Sequence, residues 1–114
     1  MALKIASREV DGVVVLDLSG RITLGEGSVQ LRDAVRGLIG KGTKNILLNM
    51  GNVDYIDSSG LGELVSAFTA ARNQHAEVKL LKLTRKVHDL LQLTKLYTVF
   101  DIYDDEAGAL ASFK

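Results

Sequence analysis

The sequence predicts an α/β fold, with a mixed β-sheet of four to five strands packed against about four α-helices. Two observations support this prediction. A two-residue hairpin turn near the start predicts that the sheet opens with an antiparallel pair of strands. Short apolar runs then alternate with stretches of helical periodicity, which implies parallel βαβ crossovers with helices packed on the sheet.

The first two strands are predicted from alternation and turn chemistry. Residues 3–8 alternate apolar and polar side chains, and Asp11-Gly12 separates Val10 from the apolar run 13–18. An Asp-Gly pair between two such runs is a strong hairpin signal.

A helix is predicted to follow the hairpin. Thr23 and Glu26 have the spacing of a capping box, in which Thr23 would cap the helix. Gly40 and Gly42 are predicted to end it. The apolar residues recur at helical spacing: Leu31, Val35, Leu38 and Ile39.

The second half of the chain repeats the alternation. Residues 45–50 (NILLNM) form an almost continuously apolar run, typical of a strand buried on both faces. Strands are also predicted at 78–83 and 99–103. One helix is predicted to begin at Thr84 as its cap, with Val87, Leu90 and Leu91 on one face. A last helix would place Asp104, Asp105 and Glu106 in its first turn, as the helix dipole favours.

The segment 55–62 (YIDSSGLG) joins a predicted strand to an amphipathic helix, and it places Ser58 at or beside the first helical amides. Ser58 either caps this helix, which would contribute about 1 kcal/mol, or is available for phosphorylation or protein contact. Gly60 and Gly62 favour the second interpretation, because each costs a helix about 1 kcal/mol relative to alanine and a cap requires neither. We expect both glycines to keep the approach to the Ser58 hydroxyl open.

Composition limits the class of protein. With 114 residues, 46% apolar and 25% charged, the chain is predicted to form one domain over residues 1–114. No apolar run approaches the roughly 18 residues of a membrane span, and residues 1–5 lack a secretory apolar region. Cysteine is absent, so no disulfide framework is present. We therefore expect a cytoplasmic protein. Lys plus Arg equals Asp plus Glu at 14 each, so the net charge gives no reason to expect binding to nucleic acid.

Catalytic and ligand-binding motifs fit poorly. A serine hydrolase elbow would need glycine at Ile56, and His75 and His88 are the only candidate bases. Residues 37–44 lack the Gly-Lys-Ser/Thr end of a P-loop and follow a predicted helix. Two distant histidines and no cysteine give no metal-ligand spacing. We therefore predict no catalytic residue, no metal and no cofactor.

The chain resembles the STAS domain, named for sulphate transporters and anti-sigma factor antagonists. The resemblance rests on the order of five features: the run NILLNM, the segment VDYIDSSGLGEL, an amphipathic helix, a further strand and a helix from Thr84. The resemblance covers nearly the whole chain and is strongest to stand-alone bacterial anti-sigma factor antagonists. Its most specific part is DSSGLG after a buried strand. It implies the STAS fold.

The resemblance also implies a partner-switching protein that is not an enzyme. The unphosphorylated antagonist would bind an anti-sigma factor that is also a GHKL-type serine kinase, which frees a sigma factor. The kinase, with ATP and Mg²⁺, would phosphorylate Ser58, and a PP2C-type phosphatase would reverse the reaction. Ser59, the second serine of the motif, is expected to pack or cap, with modification as the alternative. The implied partner-binding residues are Asp57, Ser58, Ser59, Gly60, Leu61, Gly62 and Thr23.

One position departs from the family pattern. Family members often carry an acidic residue after Gly-x-Leu/Ile, where this chain has Thr23 after Gly20, Arg21 and Ile22. We expect the loop of Thr23 to lie near the serine helix, and the protein to be a monomer or weak dimer that contacts neither membrane nor nucleic acid. The alternative function is a STAS scaffold or an accessory subunit of a stress-sensing or lipid-transport complex.

Overall fold

The computed structural model describes residues 3–114, which form five strands and four helices. The strands are β1 (Leu3–Val10), β2 (Val13–Ile22), β3 (Asn45–Ile56), β4 (Glu77–Leu81) and β5 (Ile102–Tyr103). The helices are α1 (Glu26–Gly40), α2 (Ser58–Asn73), α3 (Arg85–Leu93) and α4 (Glu106–Ala111). The predicted α/β class, strand number and helix number are confirmed.

One mixed sheet has the strand order β1-β2-β3-β4-β5. The strands β1 and β2 pair antiparallel through a turn in which Asp11 and Gly12 have φ values of 53° and 80°. Positive φ at both positions is what a type I′ hairpin turn requires. The remaining neighbours pair parallel, so the carboxyl ends of β2, β3 and β4 lie at one edge of the sheet.

Helices cover both faces of this sheet. α1, α2 and α3 pack over the larger core, to which β3 contributes the buried side chains of Ile46 and Leu48. Leu47, between them, points to the opposite face, where it packs in a smaller cluster with Ala109 and Leu110 of α4. Residues 45–50 are thus buried on both faces, as their apolar run predicts.

An ion-pair network attaches α4 to the start of the sheet. Arg8 of β1 donates from Nε to Oδ2 of Asp17 at 2.7 Å and from Nη1 to Oε2 of Glu106 at 3.0 Å. Asn49 Nδ2 also donates to Asp17 Oδ1 at 2.8 Å. These bonds to Arg8 lower the pKa of both carboxyls below their ordinary values and raise the pKa of the guanidinium.

Several element ends differ from the sequence prediction. β3 continues to Ile56, because its last residues pair with the end of β2 as far as Ile22. β4 ends at Leu81, since Lys82 adopts a φ of 56° that does not continue a strand. β5 has only two residues, which pair with Leu80 and Leu81, so the prediction of a strand over 99–103 is too long.

The two predicted threonine caps do not act as caps. α1 begins after Gly25, whose φ of 94° suits glycine, and Thr23 lies two residues before this N-cap position. The carbonyl of Thr23 instead accepts hydrogen bonds from the backbone N and the Oγ of Ser28 at 2.9 and 2.7 Å. Thr84 does occupy the N-cap position of α3, but its hydroxyl donates to the carbonyl of Val53 at 2.9 Å.

Candidate functional site

The candidate site lies at the carboxyl edge of the sheet, where β3 passes into α2. Ser58 is the first residue of α2, is exposed, and has a hydroxyl without a hydrogen-bond partner among residues 3–114. Asp57 is the N-cap, with Oδ1 accepting from the backbone N of Gly60 at 2.8 Å. Since Asp57 caps α2, the interpretation of Ser58 as a simple cap is wrong, and its hydroxyl is available for other chemistry.

Asp57 also holds the neighbouring loop in place. Its Oδ2 accepts from the backbone N of Leu24 at 2.9 Å, and its own N donates to the carbonyl of Ile22 at 3.3 Å. The N–H of Gly60 and then that of Leu24 lower the pKa of the Asp57 carboxyl, because both bonds favour the ionised form. The loop of residues 23–25 therefore lies against the start of α2, as predicted, beside a carboxylate that is ionised at neutral pH.

Ser59 faces the interior, unlike Ser58. Its Oγ lies 3.3 Å from the Oγ of Ser28, a buried residue of α1. Because the Ser28 hydroxyl already donates to the carbonyl of Thr23, the proton between the two serines comes from Ser59. Ser59 thus joins α2 to α1, which agrees with its predicted packing role.

The two glycines of α2 have different roles. A Cβ on Gly60 would lie 2.0 Å from the carbonyl oxygen of Ile22, so only glycine allows α2 to approach the end of β2 this closely. The expectation that Gly60 keeps the approach to Ser58 open is therefore wrong. A Cβ on Gly62 would meet nothing within 4 Å, so Gly62 does face open space. Gly27 of α1, missed by the sequence analysis, makes a close approach to Arg21 like that of Gly60.

Not all of the predicted partner-binding residues reach the surface. Leu61 is 6% exposed and packs in the larger core, and Gly60 is buried beneath β2. Their side-chain positions are thus unavailable for direct contact with a partner, which corrects the sequence prediction. Ser58 and Gly62 are exposed, and the partly exposed residues are Thr23, Asp57 and Ser59.

Exposed apolar side chains lie on three segments near Ser58. Leu24 is 79% exposed in the loop that Asp57 binds, Tyr55 is 46% exposed at the end of β3, and Leu93 is 81% exposed at the end of α3. We call Leu24, Tyr55, Ser58 and Leu93 the docking surface. No sequence pattern predicted a role for Leu24 or Leu93, although Leu24 is the one apolar residue in the loop 23–25.

A groove of about 560 Å³ separates the start of α2 from α3. We call it the serine groove. One wall consists of Tyr55, Ile56, Asp57 and Ser58, and the other of Lys86, Asp89, Leu90 and Leu93 of α3. Three of the four docking-surface residues, Tyr55, Ser58 and Leu93, therefore line one largely apolar depression.

Histidine is absent from the walls of the serine groove. His88 of α3 contacts Asp89, with Nδ1 3.6 Å from Oδ1, and packs edge-on against Tyr97, whereas His75 lies in the turn after α2. The arrangement thus gives Ser58 no histidine base for hydrolysis. Within residues 3–114, no three His, Asp or Glu side chains are grouped to hold a metal, and no helix has the length and apolar character needed to cross a membrane.

Comparison with known families identifies the fold. Residues 4–109 match the STAS domain. The chain belongs to the STAS domain family. The anti-sigma F factor antagonist of Paenibacillus polymyxa is 27% identical to this STAS domain over 117 residues, which span 100% of this chain and 97% of the relative.

Solved structures agree with this assignment. A Thermotoga maritima protein described as a candidate anti-sigma factor antagonist has a TM-score of 0.87 and 27% identity, covering 95% of this chain and 92% of that one. The unphosphorylated form of the anti-sigma factor antagonist SpoIIAA has a TM-score of 0.81 and 20% identity, covering 96% of each chain. A phosphorylated form of Bacillus SpoIIAA has a TM-score of 0.76 and 19% identity, covering 97% of this chain and 100% of that one. At these lower identities, the likeness to SpoIIAA shows the fold alone.

Proposed function

We propose that this STAS domain is an anti-sigma factor antagonist controlled by phosphorylation of Ser58. Its unphosphorylated form binds an anti-sigma factor that is also a GHKL-type serine kinase, so that a sigma factor is released. That kinase phosphorylates Ser58 and ends the complex, and a PP2C-type phosphatase restores binding. The STAS domain is the substrate and the ligand in this cycle, and not the enzyme.

The exposed, uncommitted hydroxyl of Ser58 carries the proposal. Asp57 satisfies the helix start, so a kinase can modify Ser58 without removing a cap. Ser59 is the less suitable acceptor, because its hydroxyl is engaged with Ser28. The name of the Paenibacillus polymyxa relative supports the antagonist function, and the phosphorylated form of SpoIIAA shows that a protein of this fold accommodates a phosphate.

The docking surface explains how a phosphate could control binding. Leucine and tyrosine side chains exposed around one point are suited to anchor a partner and exclude water there. A phosphate on Ser58 would place about −1.5 to −2 charges among them. Disrupting a docked, desolvated surface with charge costs about 2–5 kcal/mol, which corresponds to roughly 30-fold to several-thousand-fold in affinity. The ionised Asp57 would add repulsion at the same place.

The site assignment is tested with the GHKL-type anti-sigma factor encoded nearest to the gene of this protein. Incubation with this kinase and ATP-Mg²⁺ should add one phosphate to the wild-type protein and to Ser59→Ala, but none to Ser58→Ala. Intact-mass spectrometry gives the count. A phosphate that persists on Ser58→Ala would refute the assignment.

Calorimetric titration of the same anti-sigma factor then tests the switch. The phosphorylated protein should bind at least about 30-fold more weakly than the unphosphorylated protein. Equal affinities would contradict the proposal. Light scattering that shows a stable oligomer, together with co-purification of transporter subunits and no kinase, would favour the scaffold alternative. Labelling of Ser58 by a serine-directed phosphonate probe would favour a hydrolase.

A further inference from the structure

The second wall of the serine groove belongs to α3, and its lysine, Lys86, has no role in the function proposed above. Lys86, Leu90 and Leu93 are spaced by four and three residues, so they lie along one side of α3 and face the end of β3 and the start of α2. Ser58 stands on the opposite wall. An ion pair between the two walls would therefore cross the groove.

The charged groups of the groove differ in whether they already form hydrogen bonds or ion pairs. Asp57 accepts hydrogen bonds from the backbone N–H groups of Gly60 and Leu24. Asp89 lies 3.9 Å from Nε of Arg85 and 3.6 Å from Nδ1 of His88. Lys86, by contrast, is exposed and forms no ion pair with any other residue in 3–114. It is the one cation on the groove walls.

We propose that Lys86 receives the phosphate once Ser58 is modified, and that the resulting ion pair closes the serine groove. The inference rests on the proposed function, in which Ser58 is phosphorylated. The flexible stem of lysine lets its ammonium reach toward an anion on the facing wall, and the added phosphate supplies strong acceptors. The pair then covers Leu90 and draws the long side chain of Lys86 across the space that a docked partner needs.

This groove closure and simple charge repulsion predict opposite effects of removing Lys86. If the phosphate acts by repulsion alone, Lys86→Gln leaves the phosphate less neutralised and makes the phosphorylated protein bind its partner more weakly. If the phosphate and Lys86 close the groove together, Lys86→Gln reopens it and makes the phosphorylated protein bind more tightly. The sign of the change therefore decides between the two mechanisms.

The first experiment needs no partner. Phosphoserine is placed at position 58 by amber suppression, and its second pKa is followed by ³¹P NMR in the wild-type, Lys86→Gln and Lys41→Gln proteins. Asp57 and Asp89 raise this pKa, while Lys86, Arg85 of α3 and the backbone N–H groups at the start of α2 lower it, and Lys86→Gln changes only one of these groups. We expect the second pKa of the phosphoserine to rise by about 0.2 to 0.7 pH units in Lys86→Gln.

Lys41→Gln is the control. Lys41 is exposed at the far end of α1 and provides the same charge change away from the groove. Equal titrations of the two variants would overturn the ion pair.

The second experiment measures the ratio of phosphorylated to unphosphorylated affinity for the anti-sigma factor used above. Each variant serves as its own reference, which cancels any contact that Lys86 makes in the unphosphorylated complex. We expect the phosphorylated form of Lys86→Gln to regain about 1.5-fold to 5-fold in this ratio, while Lys41→Gln matches the wild type. An unchanged ratio, or a change in the opposite direction, would overturn groove closure.

Failure of the inference can be distinguished from failure of the proposed function. If phosphorylated and unphosphorylated wild-type proteins bind the anti-sigma factor equally, the switch itself is wrong. If the wild-type switch operates but Lys86→Gln leaves both the pKa and the ratio unchanged, only the role of Lys86 is wrong.

Discussion

Both carboxylate oxygens of Asp57 accept hydrogen bonds from backbone N–H groups. One of these groups is in the helix that Asp57 caps, and the other is in the loop after β2. The hydroxyl of Ser58, the next residue, makes no such hydrogen bond within residues 3–114. The group that stabilises the site is therefore separate from the group that we propose is modified. This separation predicts that substitutions at the two positions have different consequences for folding and for binding.

Asp57→Ala should lower stability at neutral pH, because it removes the cap of α2 and the bond to Leu24. The pKa of Asp57 is lowered in the folded protein, so its contribution is fully present above its ordinary value of 3.8 and is lost as the pH falls through the lowered pKa. Urea unfolding from pH 7 to pH 2 should therefore show the wild type and Asp57→Ala converging in acid. Asp54→Ala, at an exposed position of β3, is the control. A pH-independent difference would contradict this assignment.

Gly60→Ala and Gly62→Ala form a matched pair of substitutions in one helix. Gly60→Ala should destabilise the protein by about 2 kcal/mol or more, since its Cβ would collide with the backbone of Ile22 at 2.0 Å. Gly62→Ala should stabilise it by up to about 1 kcal/mol, because its Cβ meets open space and alanine favours a helix. Unfolding free energies in urea give both values, and a similar change for the two variants would show that the close approach at Gly60 is wrong.

At the scale of elements, α4 is a short helix that polar contacts help to attach to the sheet. It has six residues, and Arg8 connects its first residue, Glu106, to β1 and β2. Helices this short are not stable by themselves. The attachment of α4 should therefore depend on Arg8 together with the apolar contacts of Ala109 and Leu110.

Arg8→Gln should increase amide hydrogen exchange in α4 more than in α2. The pKa values of Asp17 and Glu106 are lowered in the folded protein, so the attachment is present above their ordinary values and weakens as the pH falls through the lowered ones. Exchange detected by mass spectrometry gives the comparison, and Arg36→Gln on the exposed surface of α1 is the control. Unchanged exchange in α4 would show that its other contacts, which include the bonds from Lys79 to Ser112, hold it without Arg8.

The order of the elements could be predicted from the sequence because each depends on a local pattern, such as the Asp11-Gly12 turn or the apolar stripe of α2. Element ends were less predictable. The end of β4 depends on the conformation of Lys82, and the start of α1 depends on the turn at Gly25. The contact between Arg8 and Glu106 joins residues 98 positions apart and leaves no local pattern.

The same limit applies to the site. The spacing of the motif identified Ser58 as the candidate, but the surrounding surface required the three-dimensional structure. A leucine such as Leu24 or Leu93 packs in a core or faces solvent according to elements that are distant in sequence. The close contact that explains Gly60 likewise comes from Ile22, on a different strand.

For the molecule as a whole, phosphorylation should change charge much more than stability. The protein has a formal net charge of zero, so one phosphate changes its total charge to about −2. At the first residue of α2, that charge faces the favourable end of the helix dipole. We expect the unfolding free energy of the protein with phosphoserine at 58 to remain within about 1 kcal/mol of the unmodified protein. Urea unfolding of the two forms checks this, and a much larger loss would indicate that the phosphate acts by unfolding the site.

The length of α2 has a practical consequence for binding assays. Its 16 residues correspond to about 24 Å of helix, close to the full depth of the molecule, so the turn at Gln74 and His75 lies at the opposite end from Ser58. Both residues of this turn are exposed. A cysteine introduced there could be biotinylated at a single place, since the chain has no other thiol. Immobilised through that biotin, every molecule on a sensor chip would present its serine end to the flowing solution.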